Sequence, residues 1–267
     1  MKLKNILIFL ALLSWIGLVY SEQPTLAPDD SLSSGAAVTY HRNTDRFRAN
    51  ISFSLQQTQK TGRKIYTLIK QGSGDFDKYK DVLWTITALM EEKDAFFRPL
   101  STQCIVKDKN QAAIATWLHK YDYEKGKIYF TAQDAKSNII KSKTLPIKGR
   151  TADYATLLYF IRPFLSHFEK DNYPGFYLVT SEPKLYKLDI QFQKYETLDL
   201  PVGKKEALKL RLIPDLGLIA GIFKIFVPTT FVWYEKDRPH AWLKYKGLET
   251  GLSSANIVTY ISQTTKR

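Results

Sequence analysis

The sequence predicts a mostly β protein: a strongly curved antiparallel sheet, or a partly open β-barrel, with one short helix covering a face or mouth. Three observations predict this fold. Short segments that alternate apolar and polar residues recur along the chain, with turn residues between them. Aromatic residues, which pack well on pleated sheets, make up 13% of the composition. A single segment in the middle of the chain has helical periodicity instead.

The first 21 residues have the features of a secretory signal peptide. Lys2 and Lys4 precede an apolar run over residues 6–19, and small residues occupy positions −3 and −1 of a cut after Ser21. The run is shorter than the roughly 20 residues of a membrane-spanning helix. The sequence therefore predicts a mature chain without a transmembrane span, located in the periplasm or secreted.

Two further regions follow the predicted cleavage site. Residues 22–44 begin with a stretch rich in Pro, Ser and Asp and are predicted to form a flexible linker. Residues 45–264 are predicted to form a single β-rich domain, since a chain of this length can bury a sizeable core.

The strands of the domain are predicted from alternation. Over residues 48–59, Ile51, Phe53 and Leu55 alternate with polar residues, which is typical of a half-buried strand. Residues 81–90 fit a strand or a helix, and their Val, Ile, Thr and Trp content favours a strand. The predicted strands cover residues 48–59, 65–71, 81–90, 101–108, 112–123, 126–133, 175–182, 185–200 and 205–213.

The segment 151–168 interrupts this pattern with a predicted helix. Asp153 is the predicted N-cap, and Pro163 is expected to end or kink the helix near Arg162. A helix with one apolar stripe must cover something, most simply an open face or end of the sheet. The apolar residues at helical spacing are Tyr154, Leu157, Leu158, Ile161 and Leu165.

The segment 231–247, FVWYEKDRPHAWLKYKG, is predicted to be a β-hairpin. The expected register pairs Trp233 with Trp242 on one face and places Glu235 beside His240 at the end of the hairpin. Large apolar groups lie on both faces of this hairpin. It is therefore expected to be covered on both sides or to face an apolar cavity.

The chain carries few features of an enzyme or a nucleic-acid-binding protein. Its net charge of +13 is dispersed, without the concentrated basic patch of a nucleic-acid reader. No nucleophile, phosphate-binding or dinucleotide motif is present, so no cofactor is predicted. The histidines are widely separated, and His119 and His167 are expected to be isolated structural or surface residues rather than metal ligands. Cys104 is the single cysteine and is expected to be a packed, inert thiol.

Three sequence segments resemble an exported bacterial family known as the domain of unknown function number 3108. The segments are ADYATLLYFIRPF, YETLDLPVGKKEALKLRLIPDLG and TTFVWYEKDRPHAWLKYKGLETGLSSANIVTY. The resemblance covers residues 150–262 well and 45–150 in outline. The chain departs from it at EKDRPHA, where the family has two acidic residues and then Arg-x-Pro-Val. The resemblance implies a secreted, mostly β domain, similar in outline to periplasmic lipoprotein carriers.

The leading interpretation is a non-enzymatic periplasmic protein that binds an apolar or lipid-like ligand in its curved sheet. The most apolar piece of the mature chain, residues 212–228, is expected to be core or an exposed apolar lip. An envelope interaction or scaffolding protein, which uses its basic surface and sheet edges, is the first alternative. The predicted ligand-binding residues are Trp233, Trp242, Phe231 and Phe226, followed by Trp84 and Trp117.

A hydrolase of unknown substrate is the third interpretation. It would use Glu235 or Asp237 with His240 as a base and its orienting group. The hairpin supplies neither a nucleophile nor a metal, so no catalytic residue is predicted.

Overall fold

The computed structural model describes residues 34–60, 62–93, 96–167, 175–215, 229–238 and 240–265. In these ranges, 15 strands form one sheet. The first eight strands are β1 (Ser34–His41), β2 (Phe47–Lys60), β3 (Arg63–Phe76), β4 (Tyr79–Lys93), β5 (Phe96–Lys107), β6 (Ala113–Asp122), β7 (Lys127–Asp134) and β8 (Ile139–Pro146). The others are β9 (Thr151–Asp153), β10 (Phe176–Val179), β11 (Leu185–Leu200), β12 (Gly203–Asp215), β13 (Thr230–Glu235), β14 (Trp242–Leu248) and β15 (Asn256–Thr265).

The sheet is strongly curved and open, which confirms the predicted fold class. Its order is β8-β7-β6-β5-β4-β3-β2-β1-β15-β14-β13-β12-β11-β10-β9. Neighbouring strands run antiparallel except for β9 and β10, which are parallel. The first and last strands along the chain pair with each other in the middle of the sheet, and β8 and β9 form its two edges.

Alternation along the strands decides which side chains enter the core. In β4, Val82, Trp84, Ile86 and Ala88 are buried at every second position. The edge strand β8 is different, because nearly all of its residues are exposed. This edge strand carries exposed lysines and no alternating row of buried side chains. Charged side chains on an edge strand discourage its pairing with strands of other chains.

Strand β1 lies inside the range that the sequence analysis assigns to a linker. It pairs with both β15 and β2, so the sheet begins well before residue 45. The predicted signal peptide, residues 1–21, and the first part of the predicted linker lie outside the described residues.

The predicted helix is present but shorter than expected. Helix α1 spans Leu157–Ile161 and continues as a 3-10 helix over Arg162–His167, in agreement with the predicted break at Pro163. The predicted N-cap is wrong: Thr156 occupies that position, while Asp153 ends β9. The side chain of Asp153 instead accepts a hydrogen bond from the backbone N–H of Ala155, at 2.9 Å, and so fixes the turn that precedes α1.

Helix α1 packs over the concave side of the sheet and contacts strands that are far apart in the strand order. The ring of Phe160 meets Phe96 of β5 edge-on, with centroids 5.8 Å apart. The hydroxyl of Tyr234 in β13 donates a 2.8 Å hydrogen bond to the carbonyl oxygen of Leu158. The helix therefore holds the two halves of the curved sheet together on one side.

Candidate functional site

A cavity of about 180 Å³ lies between the concave face of the sheet and the segment that leads into α1. Most of its wall is apolar. The side chains that form it occupy inward-facing positions of several strands, where successive inward positions are two residues apart. The principal apolar lining residues are Ile51, Phe53, Trp84, Ile86, Leu188 and Trp242.

Trp84 lies flat against the sheet because its cross-strand partner is Gly72. A Cβ atom at position 72 would lie 2.1 Å from the indole, so any other residue there would displace the ring. Phe76 stacks on the same indole with centroids 4.5 Å apart. The Nε1 of Trp84 is buried and has no hydrogen-bond partner within the described residues.

Lys70 brings a cation to this apolar wall. It pairs with Ile86 and lies two residues from Gly72 in β3, so its side chain shares the inward face with Trp84. Its Nζ donates a 2.6 Å hydrogen bond to the carbonyl oxygen of Ala155. Burial lowers the pKa of Lys70 to about 8, although the charge of Asp153 acts in the opposite direction.

Sequence reasoning missed Lys70, although a signal for it exists. In β3, Lys70 is in phase with the buried residues Tyr66 and Leu68. A lysine in phase with two buried apolar residues is predicted to point inward, where it must have a partner or a function.

Asp153 forms a buried polar junction beside the cavity. Its carboxylate accepts a 2.6 Å hydrogen bond from the hydroxyl of Tyr121 and lies 2.8 Å from Nδ1 of His119. Both His119 and Asp153 are fully buried. The junction ties β6 to β9, so His119 is structural, as predicted, but not isolated. Within the described residues, no group of three or more His, Cys, Asp or Glu side chains could hold a metal ion.

A second acidic group, Glu249, lines the far part of the cavity. Its Oε2 accepts hydrogen bonds from Arg48 Nη2 and from the backbone N–H of Asp77, both at 2.7 Å. Burial raises the pKa of Glu249 to about 7, although Arg48 opposes the change.

The residues predicted to bind a ligand are divided between the two faces of the sheet. Trp242 lines the cavity and packs against Phe53 with ring centroids 5.4 Å apart, and Trp84 also lines it. Trp233, Phe231 and Trp117 are absent from the cavity wall.

The remaining predicted binding residues have other surroundings. Trp117 donates a 3.0 Å hydrogen bond to the hydroxyl of Tyr154 and stacks on Phe76 in the core. Phe226 and most of the apolar run 212–228 lie outside the described residues.

The predicted hairpin register is wrong. Tyr234 lies opposite Trp242, and Trp233 lies opposite Lys244, with an irregularity between the two pairs. Leu243 is the extra residue of this bulge, and one extra residue moves every later side chain to the other face. Trp233 and Trp242 consequently point in opposite directions.

The outer face of the hairpin carries a cation–aromatic patch, which we call the outer patch: Lys209, Phe231, Trp233, Lys244 and Tyr260. The Nζ of Lys209 lies 4.6 Å from the ring centroid of Phe231. The Nζ of Lys244 lies 4.9 Å from the ring centroid of Trp233 and 4.8 Å from that of Tyr260. These distances are typical of cation–π contacts.

The pair that a hydrolase would require is not formed. The carboxylate of Glu235 binds Nζ of Lys205 at 2.6 Å, whereas Nδ1 of His240 lies 3.0 Å from the backbone oxygen of Glu235. Asp237 contributes its backbone oxygen, not its carboxylate, to a 2.9 Å hydrogen bond with the N–H of His240. Cys104 is buried, and burial raises the pKa of its thiol.

No family model matches this sequence, and no curated protein matches it either. Membership of the family numbered 3108 therefore stays a prediction. Within the described residues, none of the helices has the length and apolar character needed to cross a bilayer.

Seven solved chains are similar to this one, among them the following three. A beta-barrel-like protein of the domain of unknown function DUF1849 from Brucella abortus shares 11% identity, with a TM-score of 0.48, over 87% of this chain and 95% of its own. A protein described as exported, with a YmcC-like fold, from Bacteroides fragilis has 7% identity and a TM-score of 0.35, over 87% of this chain and 95% of its own. A protein described as a lipoprotein from Parabacteroides distasonis shares 9%, with a TM-score of 0.34, over 88% and 95%.

Proposed function

We propose that this protein is exported to the bacterial periplasm and binds an apolar or lipid-like ligand in the cavity beneath α1, without catalysing a reaction. The cavity is the observation that carries the proposal. Its volume of about 180 Å³ is slightly larger than the roughly 150 Å³ of an engineered apolar cavity that binds benzene. It therefore accommodates a ligand group of roughly six to eight carbon atoms.

The apolar wall of the cavity supports the same proposal. The cavity is partly open, so its apolar side chains are accessible from solvent. A ligand group that covers these side chains removes apolar surface from water, which favours binding by roughly 25 cal/mol per Å² of apolar surface buried.

The predicted export signal supports the location. Residues 1–21 have the composition of a secretory signal peptide, and residues further along the chain supply the fold. A periplasmic protein meets lipids, acids and other amphipathic molecules of the envelope, which are the ligand class that this cavity fits.

Two neighbouring alanines of β1 provide a matched test. Ala37 lies opposite Ile51 and lines the cavity, whereas Ala36 lies opposite the exposed Ser52. The mature chain, purified from periplasm, is expected to carry extra mass in native mass spectrometry that organic extraction removes. Ala37→Leu should reduce this mass by filling the cavity, and Ala36→Leu should not. A chain that is bare before extraction, and still bare after incubation with envelope lipids, would overturn the proposal.

The outer patch supports a second candidate function, attachment to an anionic membrane surface. Burial and Lys246, with a smaller contribution from Lys209, lower the pKa of Lys244, although the carboxylate of Glu196 acts in the opposite direction. Oε1 of Glu196 lies 3.7 Å from Nζ of Lys209 and accepts a hydrogen bond from Nε1 of the buried Trp233, so the patch is only partly neutralised. Lipid phosphates would neutralise it further, and the half-buried rings of Phe231 and Tyr260 beside these lysines suit the headgroup region.

Vesicle sedimentation tests this second candidate. The chain should sediment with phosphatidylglycerol vesicles but not with phosphatidylcholine vesicles. The double variant Lys244→Gln/Lys246→Gln should weaken that binding, whereas Lys141→Gln/Lys143→Gln on β8 should not. Equal sedimentation with both lipids would refute attachment through this patch.

A further inference from the structure

One cation interrupts the apolar wall of the cavity. Lys70 and Trp84 both line the cavity, from adjacent strands. Trp84 pairs with Gly72, which is two residues from Lys70, so the two side chains are diagonal neighbours on the inward face. The Nε1 of Trp84 is buried, so its ring contributes apolar wall beside Lys70 and not a hydrogen-bond donor to the cavity.

Lys70 has hydrogen-bonding capacity that the described residues do not use. An ammonium group has three N–H donors. Among the hydrogen bonds of the described residues, Lys70 Nζ makes one, to the carbonyl oxygen of Ala155. The other N–H donors of this ammonium group can therefore bind an acceptor in the cavity.

The nearest acidic group does not satisfy Lys70. Asp153 attracts Lys70 electrostatically. Its carboxylate, however, accepts hydrogen bonds from Tyr121 and from the N–H of Ala155, and lies beside His119. A cation that faces an apolar cavity without a hydrogen-bonded counter-ion is costly, and a bound anion would reduce that cost.

We propose that the ligand is a medium-chain monocarboxylate, whose carboxylate accepts hydrogen bonds from Lys70 Nζ while its alkyl chain occupies the apolar cavity. This inference rests on the proposed ligand-binding function. A carboxylate has two acceptor oxygens, which match the two N–H donors that the ammonium group has left, and charge-assisted bonds to a lysine are the stronger kind. The cavity volume limits the alkyl chain to roughly six to eight carbons.

Calorimetric titration with octanoate and octan-1-ol tests the head group separately from the chain. The purified mature chain, freed of ligand by organic extraction and refolded, is expected to bind octanoate at least about 10-fold more tightly than octan-1-ol, since buried charged hydrogen bonds are worth more than neutral ones. Lys70→Met should lower the affinity for octanoate at least about 10-fold and leave that for octan-1-ol within about 2-fold. Trp84→Phe, which retains an aromatic ring but lacks the buried N–H, should leave the preference for octanoate over octan-1-ol unchanged.

A lysine on the same strand provides the matched control. Lys64 is largely exposed and pairs with Glu92 at 3.4 Å, away from the cavity wall. Lys64→Met should leave both affinities unchanged. Thermal unfolding of each variant checks that it is folded before titration.

The outcomes separate this inference from the function on which it rests. Equal affinity of the unaltered protein for octanoate and octan-1-ol would overturn the carboxylate inference and leave apolar binding in place. The same conclusion would follow if Lys70→Met lowered both affinities equally. Binding of neither compound, with the native mass also bare, would overturn the proposed function itself.

Discussion

Replacement of Lys70 by Met is expected to stabilise the protein at neutral pH, although it removes a hydrogen bond. The lysine is protonated when the unfolded chain exposes it to water, with an ordinary pKa of 10.5, whereas burial lowers the pKa to about 8 in the folded protein. The unfolded state therefore binds more protons than the folded state between these two values. Stability of the unaltered protein rises with pH across this window and is reduced by a constant amount below it.

The size of the effect follows from the two pKa values. A pKa lowered from 10.5 to about 8 corresponds to a loss of about 3 kcal/mol at pH 7. The folded-state pKa of about 8 already includes the hydrogen bonds of the charged lysine, so only the bond that the neutral amine makes to Ala155, worth roughly 1 kcal/mol, offsets this loss. Lys70→Met should thus gain about 2 kcal/mol at pH 7. At pH 9.5 its advantage should have fallen by about 2 kcal/mol.

Urea unfolding followed by tryptophan fluorescence measures this difference. The two proteins are compared at pH 7 and again at pH 9.5, so that the titration of other groups affects both alike. The other titratable groups lining the cavity are Tyr154, Tyr186, Tyr245 and Glu249. Lys64→Met is the control, with little pH dependence expected because Lys64 is largely exposed.

One result would refute the reasoning. If Lys70→Met were less stable than the unaltered protein by the same amount at both pH values, Lys70 would be a stabilising partner and not a desolvated cation. Lys70 would then gain nothing from an anion bound beside it.

Three further predictions concern the surroundings of the cavity. Gly72→Ala should displace Trp84, lower the free energy of unfolding by about 1–3 kcal/mol and weaken octan-1-ol binding, as measured by urea unfolding and calorimetry. Asp153→Asn should lower the free energy of unfolding by about 2–3 kcal/mol because buried donors lose a charged acceptor, whereas Asp122→Asn at the half-buried end of β6 should have a smaller effect in the same assay, because its partner Lys125 is exposed to water. The pKa of Glu249 is raised from 4.5 to about 7, so this residue favours folding below pH 4.5 and loses that contribution as the pH rises through 7. Glu249→Gln should therefore flatten the loss of stability between pH 4.5 and pH 7. An unchanged pH profile of unfolding in this variant would contradict the prediction.

Much of the fold is predictable from short-range patterns. The alternation that identifies β2 also places Ile51 and Phe53 on the inward face, where both line the cavity. Pro163 ends the α-helix at Ile161 for a local steric reason. The curvature and the antiparallel arrangement follow from many short strands with turns between them.

The site itself depends on features that local patterns do not determine. The bulge at Leu243 arises from how β14 packs between its neighbours, and it decides that Trp242, not Trp233, faces inward. The linker-like composition around residue 34 conceals β1, whose strand conformation is stabilised by partners more than 200 positions away in the chain, such as Thr259. Lys70 is the exception, since its phase with Tyr66 and Leu68 is readable in the sequence.

The pairing of β1 with β15 also bears on when the chain can fold. The register joins residues at opposite ends of the described chain, as in the pair Ser34 and Thr265. Contacts of such sequence separation require closure of a very long loop, and chains dominated by them fold slowly. Under the export that we propose, the chain crosses the membrane beginning at its N-terminus, so β1 can pair with β2 early but lacks β15 until the end of translocation. We therefore expect the edge of β1 that faces β15 to remain accessible to chaperones until the last strand is delivered.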